Sequence, residues 1–464
     1  QSHLVRDQVP NFIWTDQRRT VNFQLLRRDQ VMNHYARVEP FATKKGLCLN
    51  LRNLPWFEQA DPNTFFPRCY RLAAADERQE FIEDFRLTAA RSLIKIALER
   101  AGHVPVRMEQ PLKSHEGQGE SHSSSYPMPP TAGLGHSLPL LVEQALKVCE
   151  QHLGSLRHQD IDEDSPSPCM TDTEWDHFLR NYYHVVREEA GLVLSGEQRN
   201  RCQELLQQLA EYLPQLGMEG DHNVWIIKPG AQSQGRGIIC TTQLEEVLQL
   251  ARGRRASLAQ ARDWVVQKYV ERPMLIFGTK FDIRQWFLVT DWNPLTIWFY
   301  GESYLRFCSK PFSLHHLGQA QHLCNVSVQK RFKLDPDLHP QLPHDRIWSC
   351  HQFQEYLAQV GRAGVWHQVM VPTMKAVVVG ALHSIQDLVG SQKGSFELYG
   401  ADFLIGEDCQ PWLLEINACP SMAPSSAVTR RLCASVQQDV LRVVIDRRDN
   451  PTCSTGAFEL IYKQ

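Results

Sequence analysis

The chain has 464 residues, 42% of them hydrophobic and 9% aromatic, enough for more than one core. Its formal net charge of -3 excludes any global attraction to nucleic acid or membrane, so an acidic partner must be met by a local patch. The 13 cysteines include no C-x-x-C pair, which argues against a zinc site and a disulfide framework and predicts reduced thiols in a cytosolic protein. No apolar run approaches the length of a membrane span. Asn325-Val-Ser327 matches a glycosylation acceptor with no signal peptide before it, and reads as a chance match. The chain opens at Gln1 without a methionine and reads as a piece of a longer protein.

Residues 1–75 mix short strands with turns, and Asn11-Phe-Ile-Trp-Thr15 is strand-like. The basic residues Arg18, Arg19, Lys44, Lys45, Arg68 and Arg71 suit either a partner face or a solvated surface. Asp76 to Arg100 is predicted helical, with Phe81, Phe85, Ala89, Leu93 and Ile96 at helical spacing. Residues 110–136 are rich in Gly, Ser, His and Pro and read as a disordered insertion. Helices follow at 138–152, from Thr173, and at 196–213.

From Asn223 the pattern changes. Val224-Trp-Ile-Ile-Lys228 is a buried strand ending in a lysine, and Ile238-Ile-Cys240 is a second strand. The loop between them carries Gly235-Arg236-Gly237. Small residues there let backbone N–H groups approach a phosphate, although a plain hairpin turn is the simpler reading. Asp263 to Val270 is another strand. On the strand Gly278 to Val289, period two puts Lys280, Asp282 and Arg284 on one face. A plus, minus, plus row suits polyphosphate and its metal, or equally a cross-strand salt-bridge face. Arg306 ends the next strand, as a carboxylate clamp or as a surface arginine. Helices are predicted at 352–360, 372–388 and 426–445, and the tail 456–462 is strand-like.

Between the last two helices, Tyr399 to Asn417 reads as a hairpin: apolar run, polar turn, apolar run. Alternation puts Trp412, Leu414 and Ile416 on one face and Leu413, Glu415 and Asn417 on the other. The turn folds Asp402 back opposite Glu415 and Asn417. Two carboxylates and an amide oxygen are hard ligands that suit Mg²⁺. A half-buried hairpin with one wet face is the alternative.

Taken in order, Lys228-Pro, Gly235-Arg-Gly, Gln267-Lys-Tyr-Val, Lys280-Phe-Asp-Ile-Arg284, Tyr304-Leu-Arg306, His322-Leu-Cys-Asn325 and Asp402 with Glu415-x-Asn417 resemble the tubulin tyrosine ligase-like family. Thr43-Lys-Lys-Gly, Phe65-Phe-Pro-Arg-Cys-Tyr70, Phe277-Gly-Thr-Lys and Gly456-Ala-Phe-Glu-Leu-Ile-Tyr look like its glycine-adding branch, the tubulin monoglycylases. The resemblance implies an α+β, ATP-grasp fold with mixed and antiparallel sheets. Its parts would be an N-terminal module (1–75), a central domain (76–272) and a C-terminal domain (273–464), with nucleotide between the last two. It implies ATP and Mg²⁺ as cofactors. Lys228 and Lys280 would hold phosphates, and Gln267, Lys268, Tyr269 and Val270 would line the adenine pocket. Arg236 and Gly237 would lie at the phosphate loop. Asp282 and Arg284 would meet ribose and terminal phosphate, and Asn325 phosphate or metal. Asp402, Glu415 and Asn417 would bind Mg²⁺. Arg236, Arg284 and Arg306 would be catalytic, Arg236 also meeting the protein substrate and Arg306 the carboxylate of the incoming amino acid. Three positions depart from the branch: Gln232 and Gln234 stand where basic residues are usual, and Val326 follows Asn325 where a polar residue is common.

The implied activity is an ATP-dependent carboxylate-amine ligase. It would add glycine to glutamate side chains in tubulin C-terminal tails through an acyl phosphate. A glutamate-adding ligase is the nearest alternative, with Lys330 as a cation for the donor's second carboxylate. A microtubule-binding module with a weak site is the third. The implied partners are tubulin tails and glycine, with no nucleic acid or membrane. A monomer is expected, in the cytoplasm on the cytoskeleton, at a cilium or flagellar axoneme.

Overall fold

The computed structural model describes residues 9–27, 29–52, 61–102, 138–157, 169–188, 194–230, 235–252, 264–390 and 392–464. The insertion read at 110–136, and Gln232 and Gln234, lie outside these residues. Contacts group the chain into two compact units: residues 1–81, 217–219 and 224–464, and residues 82–216 with 220–223. This grouping follows contact density, whereas the three-part reading followed composition and motif.

The larger unit is α+β. β1 (Phe12–Ile13) and β2 (Val31–Met32) pair in parallel. β3 (Cys69–Arg71), β4 (Trp225–Pro229), β5 (Ile239–Thr241) and β6 (Trp264–Lys268) form a four-stranded antiparallel sheet in the order β3-β6-β4-β5. A seven-stranded sheet follows, built from β7 (Leu275–Ile276), β8 (Thr279–Trp292), β9 (Leu295–Phe307), β10 (Ile347–Ser349), β11 (Glu397–Ile405), β12 (Pro411–Asn417) and β13 (Phe458–Lys463). Its central order is β10-β9-β8-β11-β12, and its paired neighbours are antiparallel.

Apolar alternation on β8 and β11 explains why the large sheet is covered on both faces. Phe281, Ile283, Phe287, Tyr399, Ala401 and Phe403 pack with Phe353, Val378 and Leu382 of the helices Cys350–Gln359 and Val371–His383. Trp286, Leu288 and Leu398 pack on the other face with Leu432, Val436 and Val440 of the helix Ala427–Leu441. Ser349 and Ser426 cap two of these helices, each accepting from a backbone N–H three residues on.

The smaller unit is helical, with Leu138–Arg157, Asp172–Glu188 and Gly196–Tyr212 beside most of Ala75–Gly102. Ser195 and Gln198 make a reciprocal cap at the start of Gly196–Tyr212. Arg201 binds both Glu143 and Glu150 across two helices. Among the described residues no helix is long and apolar enough to cross a membrane.

Two expectations are corrected. Cys48 and Cys69 are joined, so the thiols are not all reduced; eleven other cysteines are free. The helix Lys44–Leu51 brings Cys48 against β3 with a Cα–Cα distance of 6.0 Å, a tertiary contact that no local spacing announces. Four of the basic residues near the N-terminus do not form a free surface. Arg18 binds buried Glu397, Lys44 binds Glu415, Arg68 binds Glu219, and Arg71 binds Glu77. Three of these carboxylates are buried and Glu415 is half-buried, and they claim these side chains because a charge taken out of water needs a partner.

Candidate active site

The site is built on the ends of β4, β6, β8, β11 and β12, all in the larger unit. Its residues line a cavity open to solvent. Ile226, Ile238, Val270, Leu404 and Leu414 supply apolar wall. Lys228, Lys280, Asp282, Asp402 and Glu415 supply charge.

The hairpin forms as its sequence predicts, with Asp402 directly across from Glu415. The alternation does not. A bulge falls between Asp402 and Phe403, where Glu415 and Leu413 are the consecutive partners and Leu414 is left unpaired. Trp412 and Leu414 therefore pack with Leu404, on the cavity side with Glu415. Leu413 and Ile416 go to the opposite core. Strict period two had Leu413 sharing a face with Glu415. The extra residue breaks the phase and gives the metal-type ligands an apolar neighbour.

The Asn417 amide nitrogen lies 3.4 Å from an oxygen of Asp402 and 3.4 Å from one of Glu415. The three side chains converge, as the sequence spacing requires. Lys44 reaches Glu415 at 2.9 Å. Thr43 caps the helix that carries it, accepting from Gly46 N–H.

Next to this triad lies a buried ion-pair lattice. Arg306 donates twice to Asp282, at 2.6 and 2.7 Å, and lies 3.0 Å from Asp402. Arg284 donates twice to Asp402, at 2.6 and 3.1 Å. The register explains it: Asp282 faces Arg306 across β8 and β9, and Asp402 faces Arg284 across β11 and β8. The cross-strand salt-bridge reading of this strand face thus holds for Asp282 and Arg284. Burial alone would raise the Asp402 carboxyl, but Arg284 and Arg306 hold it well below the usual carboxylate range. For Asp282, burial outweighs Arg306 and pushes the carboxyl up.

Among the described residues Lys280 has no carboxylate partner in its hydrogen bonds. It donates to the Tyr269 hydroxyl at 2.6 Å and to the His322 carbonyl at 2.9 Å. Tyr269 in turn meets His322 Nδ1 at 2.7 Å, and His322 Nε2 lies against the carbonyls of Ser313 and His316. Those carbonyls require the proton on Nε2, so Nδ1 accepts from Tyr269. Burial and then Lys280 lower the His322 pKa to about 4, which keeps the ring neutral. His322 is thus a positioning residue for Lys280, a role its sequence motif does not reveal.

Lys228 donates to Gln267 at 2.6 Å. Burial lowers its pKa to about 8, with Glu415 opposing and Lys44 and Lys280 adding to the fall. Lys268 lines the same cavity, yet its ammonium is bound to buried Glu271 and to the Val224 carbonyl. Asn325 lines the cavity at the start of a short helix.

Arg236 and Gly237 lie exposed in the turn 235–237, outside the cavity lining. Gly235 has φ +71°, and a Cβ there would stand 2.3 Å from Val328 and 3.4 Å from the Asn325 amide oxygen. Only glycine fits this turn against the segment that carries Asn325.

Arg306 lines a second cavity, with Cys324 between the two. Arg346 and Lys330 are there too. Arg346 carried no sequence signal, since it sits in an irregular Pro-rich stretch.

The family model for the tubulin-tyrosine ligase family matches residues 168–452. The chain is 52% identical over its whole length to "Tubulin monoglycylase TTLL3" of Mus musculus, covering 49% of that protein. It is 45% identical over its whole length to "Protein monoglycylase TTLL8" of Mus musculus, covering 56% of it. It is also 36% identical to "Tubulin glycylase 3A" of Drosophila melanogaster, covering 45% of it. The chain spans about half the length of these curated relatives. With the family match extending over more than half of it, the chain belongs to the tubulin-tyrosine ligase family.

Proposed function

We propose that the chain is the catalytic part of an ATP-dependent ligase that joins glycine to glutamate side chains in tubulin C-terminal tails. The observation that carries this reading is one juxtaposition. The carboxylates of Asp402 and Glu415, with the Asn417 side-chain amide against both, meet lysine charge that has few acidic partners, at one end of a largely apolar cavity. The donor set fits Mg²⁺, which prefers carboxylate and amide oxygens and keeps sites for phosphate. When bound, Mg²⁺ would offset charge on the transferring phosphoryl group.

The chain's own groups supply the rest. Lys228 and Lys280 would hold ATP phosphates, and Tyr269 with His322 keeps Lys280 aimed. Gln267 to Val270 and Leu404 would flank adenine. Asn325 would reach phosphate, and Asp282 with Arg284 would lie between ribose and terminal phosphate. An oxygen of the acceptor carboxylate would take the γ-phosphoryl group, releasing ADP and giving an acyl phosphate. The amine of glycine would then attack the acyl carbon, lose a proton and expel phosphate. The product is an isopeptide bond, and no covalent enzyme nucleophile is needed. Arg306 has Nε and Nη2 committed to Asp282 and Asp402, which leaves Nη1 for an incoming carboxylate. Exposed Arg236 would meet the acceptor protein. Such a substrate would set the protein on the cytoskeleton, at a cilium or flagellar axoneme.

The test is mass spectrometry of microtubules incubated with the protein, ATP, Mg²⁺ and either glycine or glutamate. Glycine should be incorporated, and only with ATP present. One observation favours a second reading, glutamate addition: Lys330 lines the cavity beyond Arg306, where a donor's second carboxylate would need a cation. Preferential incorporation of glutamate would replace the first reading with the second.

A further inference from the structure

The cavity beyond Arg306 has a volume of about 280 Å³. Its charged lining is Arg306, already paired with Asp282 and Asp402, together with Lys330, Arg346 and one acid, Asp345, which leaves an excess of one positive charge. Phe307, Val326 and Ile347 add apolar wall.

Two features of Arg346 are unusual. Its backbone has φ +59°, a left-handed conformation that costs a residue with a Cβ free energy. Its Nε is buried without a hydrogen-bond partner among the described residues, although Nη1 donates to Ser309 Oγ at 3.0 Å and to the Gln329 carbonyl at 2.6 Å. Burial also lowers its pKa from the ordinary arginine value, so an anion beside it would relieve an existing cost.

The size and charge select the occupant. Glycine has five heavy atoms and is a zwitterion; an excess of cations attracts its carboxylate and repels its ammonium. An acidic peptide has carboxylates without that penalty and fills the larger space. Lys330 is exposed, as are Arg331 and Lys333 next to it in the chain. Inward, Arg306 contacts Asp282 and Asp402, which line the first cavity.

We propose that this second cavity receives the acceptor chain as an acidic peptide, with Arg346 and Lys330 binding carboxylates and one side chain passing Arg306 toward the phosphate end. The proposal rests on the ligase reading above and adds a route and two specificity-determining residues to it.

The experiment is fluorescence anisotropy with a labelled ten-residue glutamate-rich peptide, on the full chain and on Lys330→Gln and Arg346→Gln. Lys330 is exposed, so its replacement leaves the fold intact even if Arg346→Gln does not. The peptide Kd should rise about fivefold for Lys330→Gln and more than tenfold for Arg346→Gln, consistent with loss of one charge-assisted contact. The Kd for a labelled ATP analogue, measured without peptide, should not change. An unchanged peptide Kd in Lys330→Gln overturns the proposal. So does a parallel rise in the ATP Kd, which would assign the cavity to nucleotide. Displacement of the peptide by free glycine or glutamate at equal concentration would assign it to the donor and also overturn the proposal. Glycine transfer by the unaltered protein is scored separately. If the peptide binds as expected and no glycine is transferred, the ligase reading fails and the peptide site stands.

Discussion

Two charged clusters lie side by side, and they are built in opposite ways. In the first, Arg284 and Arg306 face Asp282 and Asp402 through bidentate bonds of 2.6–3.1 Å, two charges of each sign. In the second, Lys228 and Lys280 are hydrogen-bonded to an uncharged amide, a hydroxyl and a carbonyl, and Glu415, which attracts Lys228, is also bound by Lys44. A balanced buried cluster is self-sufficient and gives the strand ends a fixed geometry. An unbalanced one is held by the fold in a state that a polyanion would improve. The contrast separates charges that the fold already pairs from charges that a polyanion would complete.

The largest effect should come from breaking the balance. Asp402→Asn removes a carboxylate that serves both arginines. Stability should fall by about 3–5 kcal/mol, the cost of uncompensated buried charge. Denaturant unfolding of the apo protein reads this directly, and a change under 1 kcal/mol would show that the cluster is not the frame. Acid should act the same way. The Asp402 carboxyl is held low in the folded protein, so its contribution is present above the usual carboxylate range and fades as pH falls below it.

Glu415→Gln tests the ligand side. Glu415 is half-buried and lies opposite Asp402, so the near-isosteric change should leave the melting temperature within a few degrees. Glycine incorporation should drop by about a hundred- to a thousandfold, the range for losing one electrostatic element of a transition state. Normal turnover with normal Mg²⁺ dependence would remove Glu415 from the site.

The hairpin, the lysine-ended strand and the Lys280-Asp282-Arg284 face were legible because period two and turn residues are local signals. The bulge at Leu414 was not, since only the partner strand reveals which residue is left over. The pairing of Arg306 with Asp282 needed the register of β8 on β9, and that of Lys44 with Glu415 needed tertiary structure altogether. Arg346 was invisible for a different reason: its signals are a backbone angle and a missing partner, neither of which a residue type encodes. The folded charge pattern also resolved an ambiguity in the sequence. The plus, minus, plus row divides, with Asp282 and Arg284 in the balanced cluster and Lys280 in the unbalanced one.

If the lysine cluster is held at a cost, removing one lysine should stabilise the empty protein. The folded Lys228 pKa is lowered to about 8 from an ordinary 10.5. The penalty is complete below about pH 8, where both states are protonated, and disappears as pH rises through 10.5. It amounts to about 3 kcal/mol at most by linkage. Lys228→Met leaves Gln267 Oε1 without this donor, which costs about 1–2 kcal/mol. A net gain of about 1–2 kcal/mol at pH 7 is expected, together with weaker ATP binding. A destabilised variant with unchanged ATP affinity would place Lys228 in the frame instead.

The smallest effect is a pH dependence, and it tests the same lysine without changing it. Only protonated Lys228 attracts phosphate, and bound phosphate raises its pKa, so nucleotide binding takes up a proton where the free protein has lost one. Below about pH 7.5 the side chain is already charged and the ATP affinity should be flat. Above the free-protein value of about 8 the Kd should climb, reaching about tenfold its pH 7 value by pH 9. His322 does not blur this window, because its pKa lies near 4. Calorimetry at pH 8.5 in two buffers of different ionisation enthalpy would count the proton directly. An uptake of about half a proton or more supports Lys228 as a phosphate ligand. Zero uptake with a flat affinity from pH 7 to 9 would mean that Lys228 does not meet the phosphates.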